Sequence, residues 1–127
     1  MPKERIQPRG LSKPPTYTHV IKAGNTVYIA GQTAQDEHGQ IVGRGDIVAQ
    51  ATQVFENLGK ALAAAGASFA DLVKITVYIT DPRYREAMGE VRRKYLGSDL
   101  PTSTLVVVAG LAVPEFLIEI EAIAVIG

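Results

Sequence analysis

Phe116-Leu117-Ile118-Glu119-Ile120-Glu121-Ala122-Ile123-Ala124-Val125 is the stretch on which the fold turns. It is rich in residues that pack well on a pleated surface and shows no helical period, so it reads as a strand. Side chains alternate along a strand, which puts Leu117, Glu119, Glu121, Ile123 and Val125 on one face. Two carboxylates therefore stand among apolar neighbours, where a charge costs several kcal/mol unless it is paired or solvated. A second run upstream, Leu105-Val106-Val107-Val108, also fits a strand. The acid pair is the place where chemistry is expected.

Working outward toward the N-terminus, residues 17–22 and 26–32 read as strands. Gly24-Asn25 joins them in a tight hairpin, because both residues tolerate positive φ. Asp46 is placed to cap a helix with the apolar stripe Ile47, Ala51, Val54, Leu58, Ala61, Leu62 and Ala65, ended by Gly66. Residues 72–80 read as a strand, and Asp81-Pro82 as an N-cap with a first-turn proline. Tyr84, Ala87, Met88, Val91 and Tyr95 form the stripe of a second helix that stops near Gly97. Residues 1–15 read as an irregular arm. The expected order is β-β-α-β-α-β-β in a single domain spanning residues 1–127, an α+β fold with two helices on one face of a mixed sheet. Leu105 and Val107 oppose Val106 and Val108 across one strand, so the face without helices is expected to be buried by self-association.

The chain has 127 residues and a formal net charge of zero, so no global field favours nucleic acid or an anionic membrane. It contains no cysteine, which excludes a thiolate nucleophile, a disulfide framework and a Cys-ligated metal. His19 and His38 are its only histidines, too few for most His-based metal sites. The first ten residues lack the apolar core of a signal peptide, and no apolar run approaches the roughly 20 residues needed to span a bilayer. A soluble, cytoplasmic protein is expected.

The Tyr17 segment, Gly24-Asn25 leading into Val27-Tyr28-Ile29-Ala30-Gly31-Gln32, the run Val73-Lys74-Ile75-Thr76-Val77-Tyr78-Ile79-Thr80-Asp81, and Ile118 to Val125 together resemble the RidA/YjgF/YER057c/UK114 (Rid) family, from about residue 17 to the end. The resemblance implies a chorismate-mutase-like fold, a homotrimer with a central barrel of three packed sheets, and clefts between adjacent subunits. It implies hydrolysis of reactive enamines and imines, such as 2-aminoacrylate, to a keto acid and ammonia, with no metal or organic cofactor. It gives Glu119 the role of orienting the water, and Tyr17 and Gly31 places in the cleft lining. It also puts Ala30, Gly89 and Thr102 where the family has a serine, an asparagine and the arginine that anchors the substrate carboxylate.

Losing a charged partner for a carboxylate costs about 2–5 kcal/mol, or roughly 30- to several-thousand-fold in affinity. A neutral hydrogen bond from Thr102 contributes only about 1 kcal/mol. The expected substrate is therefore an imine, enamine or related activated C–N compound other than a typical 2-imino acid, unless another cation compensates. Gly89 frees space on the second helix, and Arg85, Arg92 and Arg93 lie near it by i±3 and i±4 spacing. Arg92 is a candidate to reach into the cleft, although long arginines on a helix are commonly solvated.

Thr102, Ser103 and Thr104 read as binding hydroxyls, since no base partner is in view to activate one of them. His19, two residues past Tyr17, would share its strand face, where a histidine is an attractive candidate for a general base. A lone strand histidine is more often a surface or interface residue. Glu121 reads as a structural carboxylate paired across an interface. Two other functions stay open. One is a non-catalytic or regulatory trimer that binds a small metabolite or a protein partner. The other is an endoribonuclease or translation-inhibitor activity resting on Arg92-Arg93-Lys94, which on a neutral chain reads more simply as a solvated helix end.

Overall fold

The apolar runs close into one six-stranded sheet in the computed structural model, which describes residues 2–127. In chain order the strands are β1 (Lys3–Ile6), β2 (Val20–Ala23), β3 (Thr26–Gln32), β4 (Leu72–Ile79), β5 (Thr102–Val107) and β6 (Ile118–Val125), and the helices are α1 (Ile47–Ala64) and α2 (Arg85–Leu96). The strands lie in the order β1-β2-β3-β6-β4-β5. Every neighbouring pair is antiparallel except β4 and β5. A parallel pair needs a crossover connection, and α2 supplies it. The strand that carries the acid pair, β6, lies between β3 and β4, while β5 forms an open edge. This is the α+β architecture expected from the sequence, with two helices on one face of a mixed sheet.

The helices form where their apolar stripes meet that sheet face. Ala51, Val54, Phe55, Leu58, Ala61 and Leu62 of α1 are fully buried, and Met88 and Val91 of α2 extend the same core. They pack on Ile75, Val77 and Ile79 of β4 and on Ile118, Ile120, Ala122 and Ala124 of β6. The Asp46 carboxylate accepts the Ala49 amide at 3.1 Å and so caps α1. Gly66, at φ 76°, turns the chain out of that helix, and Gly97, at φ 58°, does the same after α2. Gly24, at φ 60°, makes the β2–β3 hairpin.

Two segments differ from the sequence reading. The N-terminal arm is not irregular throughout, because Lys3–Ile6 pairs with β2 from Lys3↔Ala23 to Ile6↔Val20. Lys-Glu-Arg-Ile has almost no apolar face, so hydrophobic periodicity could not reveal a strand held by backbone pairing. The strand expected over residues 17–22 begins only at Val20. Tyr17, Thr18 and His19 bend instead, so Tyr17 and His19 do not share a strand face. Their rings still meet edge to face, with centroids 5.9 Å apart.

Candidate functional site

Cross-strand partners share a face of a sheet, so the register sorts the candidate residues. Tyr78 lies opposite Glu119, and Thr76 opposite Glu121. On the other side of β4, Thr102, Thr104 and Val106 lie opposite Lys74, Thr76 and Tyr78. All of these side chains occupy the face that the helices leave open. The Tyr78 hydroxyl donates to Glu121 Oε1 at 2.7 Å, which keeps the second acid engaged. Glu119 is half-buried. Its desolvation, and then the negative charge of Glu121, push its carboxyl above the usual range. A carboxyl so raised is a better proton acceptor when ionised.

The glycine beside it is required by contact. Ile29 lies opposite Ala122 and Gln32 opposite Ile120, so β3 carries one extra residue at Ala30-Gly31. This is a β-bulge, a device that re-aims backbone at a site. It presses Gly31 onto Glu119, where a Cβ would overlap the carboxylate. Tyr17 lies within the field of the same acid: partial burial, and then the Glu119 charge, raise its phenol above the usual range. Tyr17, Gly31, Gln32, His19 and Lys13 border a cavity of about 200 Å³.

His19 supports this group from behind. Its Nε2 lies 2.8 Å from the Ser12 carbonyl, which can only accept, so Nε2 carries the proton. Nδ1 then accepts from the Gln32 amide at 3.1 Å, and the same amide donates to the Ala30 carbonyl at 2.9 Å. With both ring nitrogens engaged, His19 holds the bulge that carries Ala30 and Gly31.

Two buried amides of α1 escaped the sequence reading. Gln50 donates to the carbonyls of Gly43 (3.1 Å) and Glu115 (2.9 Å) and accepts the Leu117 amide at 2.8 Å, which fixes the chain just before Glu119. Asn57 donates to the carbonyls of Thr33 (3.0 Å) and Gln35 (2.9 Å), fixing the chain just after Gly31. The available signal was two amides at i and i+7, on the same stripe as Val54 and Ala61.

A second group gathers between α2 and the β5 edge. Ser103 lies opposite Ile75, a core residue, so it faces the helices while its neighbours Thr102 and Thr104 face away. Its hydroxyl accepts from Arg92 Nη1 at 2.8 Å. Thr102 instead donates to the Val73 carbonyl at 2.8 Å. Apart from the backbone of α2 itself, nothing among the described residues lies within 4 Å of the point where a Cβ on Gly89 would stand. Gly89 and Arg92 border one pocket with Arg83 and Arg85, and another with Leu100, Pro101 and Ser103.

The candidate residues thus divide in two. Tyr17, Ala30, Gly31 and Glu119 cluster at the open face of β3 and β6, while Gly89, Arg92 and Ser103 cluster on the helix side of β5. Glu119 and Ser103 are two strands apart, roughly 10 Å across the sheet, and about as far again along it. They also point to opposite faces, so one chain cannot bring the two clusters onto one small molecule. Among the described residues no three His, Cys, Asp or Glu side chains are grouped to hold a metal ion. Among the described residues, too, no helix is long and apolar enough to cross a membrane.

Comparison with known proteins gives consistent likenesses over nearly the whole chain. The family described as Endoribonuclease L-PSP matches residues 11–126. A RutC family protein of Pyrococcus horikoshii is 44% identical over 124 residues, covering 96% of this chain and 97% of its own. The 2-iminobutanoate/2-iminopropanoate deaminase of Mus musculus is 38% identical over 112 residues, covering 87% of this chain and 82% of its own. The crystal structure of RidA from the Antarctic bacterium Psychrobacter sp. superposes with a TM-score of 0.90 at 38% identity, covering 97% of this chain and 99% of that one.

Proposed function

The chain belongs to the L-PSP family, the RidA/YjgF group that includes RutC proteins, and from that premise we propose that it is a hydrolase of small imines or enamines whose cleft forms between two copies of the chain. The observation that carries this reading is the division of the site. Glu119, Gly31 and Tyr17 of one copy meet Gly89, Arg92 and Ser103 of the next. The β5 edge leaves a row of backbone groups open beside the second cluster, which suits a neighbour at that border. The face without helices exposes Tyr28 (50%) and Val106 (37%), apolar surface that a closed ring of copies covers. A homotrimer with the three sheets packed inward satisfies both requirements.

The chemistry needs little from the protein. Protonated imine carbon is already electrophilic, so ionised Glu119 holds a water against it and takes a proton as the oxygen adds. The same proton passes to the amine nitrogen of the carbinolamine. As ammonia departs, the hydroxyl gives its proton to the freed Glu119 carboxylate, the carbonyl forms, and the departing ammonia carries that proton away as ammonium. An enamine first gains a proton on carbon to become that imine. Placement and proton transfer carry the acceleration, and the relative named as a deaminase of 2-iminobutanoate and 2-iminopropanoate supports the reaction class.

The test follows ammonia and carbonyl release from 2-aminoacrylate generated enzymatically, beside a panel of uncharged imines. Acceleration on any of them supports the reading. Ligand binding without turnover would favour a non-catalytic trimer. RNA cleavage that survives further purification and disappears with Glu119→Gln would favour the nuclease activity.

The acid pair adds a pH signature. Ionised Glu119 is the active form, so kcat/KM falls as pH drops through its raised pKa. Glu121→Gln removes one of the two causes of that rise and leaves the desolvation. The acidic limb should therefore move to lower pH in this variant. A limb that stays in place, measured over the same buffers, would remove Glu119 as the group that titrates.

A further inference from the structure

We infer that Arg92 is the anion anchor of this cleft, so that the substrate carries a carboxylate which α2, and not Thr102, receives. The inference rests on the shared cleft proposed above and names the class of molecule it takes. Among the described residues Arg92 meets no carboxylate within ion-pair distance, although Glu86 borders the same pocket. Among the described residues, Arg83 is the arginine of this region that meets a carboxylate: its guanidinium holds Asp81 down at about 2. Arg92 is half-buried instead, and its hydrogen bond goes to the neutral hydroxyl of Ser103. Its surroundings disfavour the charge, through desolvation first and then the like charge of Arg85. A desolvated guanidinium facing a second cation is costly until an anion joins them.

The geometry suits one particular anion. Guanidinium presents its donors in a planar fork that matches a carboxylate in a bidentate pair. One Nη1–H is held by Ser103, which sets the plane of the group and leaves the remaining donors free to bind. Gly89 lies one turn earlier on the same side of α2, and its missing side chain leaves open space beside the fork. That space admits a carboxylate and a short carbon chain. Thr102 faces the other side of β5, with its hydroxyl bonded to the Val73 carbonyl, and is poorly placed for this work. The substrate class that fits is a small anionic imine or enamine, one derived from an amino acid. Arg92 is the cation whose presence reverses the expectation drawn from Thr102.

Titration with pyruvate, and in parallel with its neutral amide, followed by NMR on the intact oligomer, tests the assignment. Wild type should bind pyruvate more tightly than the amide. Arg92→Ala should weaken pyruvate binding by at least about 30-fold and leave the amide unchanged. Gly89→Leu fills the open space without touching the core and should cause a similar loss, which keeps the test valid if Arg92→Ala assembles poorly. Added guanidinium ion should restore part of the affinity to Arg92→Ala. Lys94→Ala, an exposed control on the same helix, should behave as wild type. Pyruvate affinity that persists in Arg92→Ala, or equal affinity for acid and amide in wild type, would overturn the inference. The two readings fail separately. Arg92-dependent pyruvate binding without ammonia release leaves the anchor and removes the hydrolase. Undiminished 2-aminoacrylate turnover in Arg92→Ala leaves the hydrolase and removes the anchor.

Discussion

Glu119→Gln should lose roughly 10²–10⁴-fold in turnover, the range for removing a positioned acid–base group, while melting at a higher temperature than wild type at neutral pH. Both effects follow from one feature. The folded-state pKa of Glu119 is raised, so its ionised form opposes folding. The associated stability is present in full below the unfolded pKa and is lost as pH rises through the folded value. Glutamine keeps the shape and removes the charge, so the gain in melting temperature should appear at neutral pH and fade in acid. Such a pairing of lost activity with gained stability marks a functional group held at a cost to the fold. Thermal melts and steady-state rates on the same preparations check it. A variant that keeps its rate would exclude Glu119 from the chemistry, and a melting temperature lowered at pH 7 would contradict the desolvation argument.

Gly31→Ala should fold and assemble normally yet lose on the order of 100-fold in kcat/KM, the effect expected from displacing a reacting group by about 1 Å. A Cβ at this position overlaps the end of the Glu119 side chain, with its nearest contacts on carboxylate and side-chain carbon atoms and none on backbone. A flexible side chain can swing away, so the collision costs little stability. The carboxylate, however, no longer stands where the water must be held. Because the bulge at Ala30-Gly31 is tied to His19 through Gln32, the backbone cannot retreat to absorb the overlap. Urea melts together with kcat/KM distinguish this from ordinary overpacking, which would lower both.

Much of this arrangement was legible because strands and helices obey different periods. The alternation in Ile118 to Val125 predicts an acid pair on one face, and β6 bears it out. Asp46, Gly24, Gly66 and Gly97 act as local chemistry requires, since caps and turns depend only on their own residues. What was hidden depends on tertiary partners. β1 is held by backbone bonds that leave no pattern in Lys-Glu-Arg-Ile. The roles of Gln50 and Asn57 require knowing which carbonyls lie opposite α1. On β5 a step of one residue exchanges faces, so attention to Thr102 points away from α2 while Ser103 points toward it. Arg92 could be placed near Gly89 by helical spacing, but only the structure shows its bond to Ser103.

The central claim is that one copy supplies Glu119 and the next supplies Arg92, and mixing the two defective chains tests it most directly. Glu119→Gln and Arg92→Ala protomers, each nearly inactive on 2-aminoacrylate, are dissociated, combined in equal amounts and reassembled. In a ring with random order, about one quarter of the clefts receive both intact halves, so the mixture should recover about a quarter of wild-type activity. Activity that stays at the average of the two separate variants, in hybrids verified by mass spectrometry of the intact assembly, would contradict a cleft shared between copies.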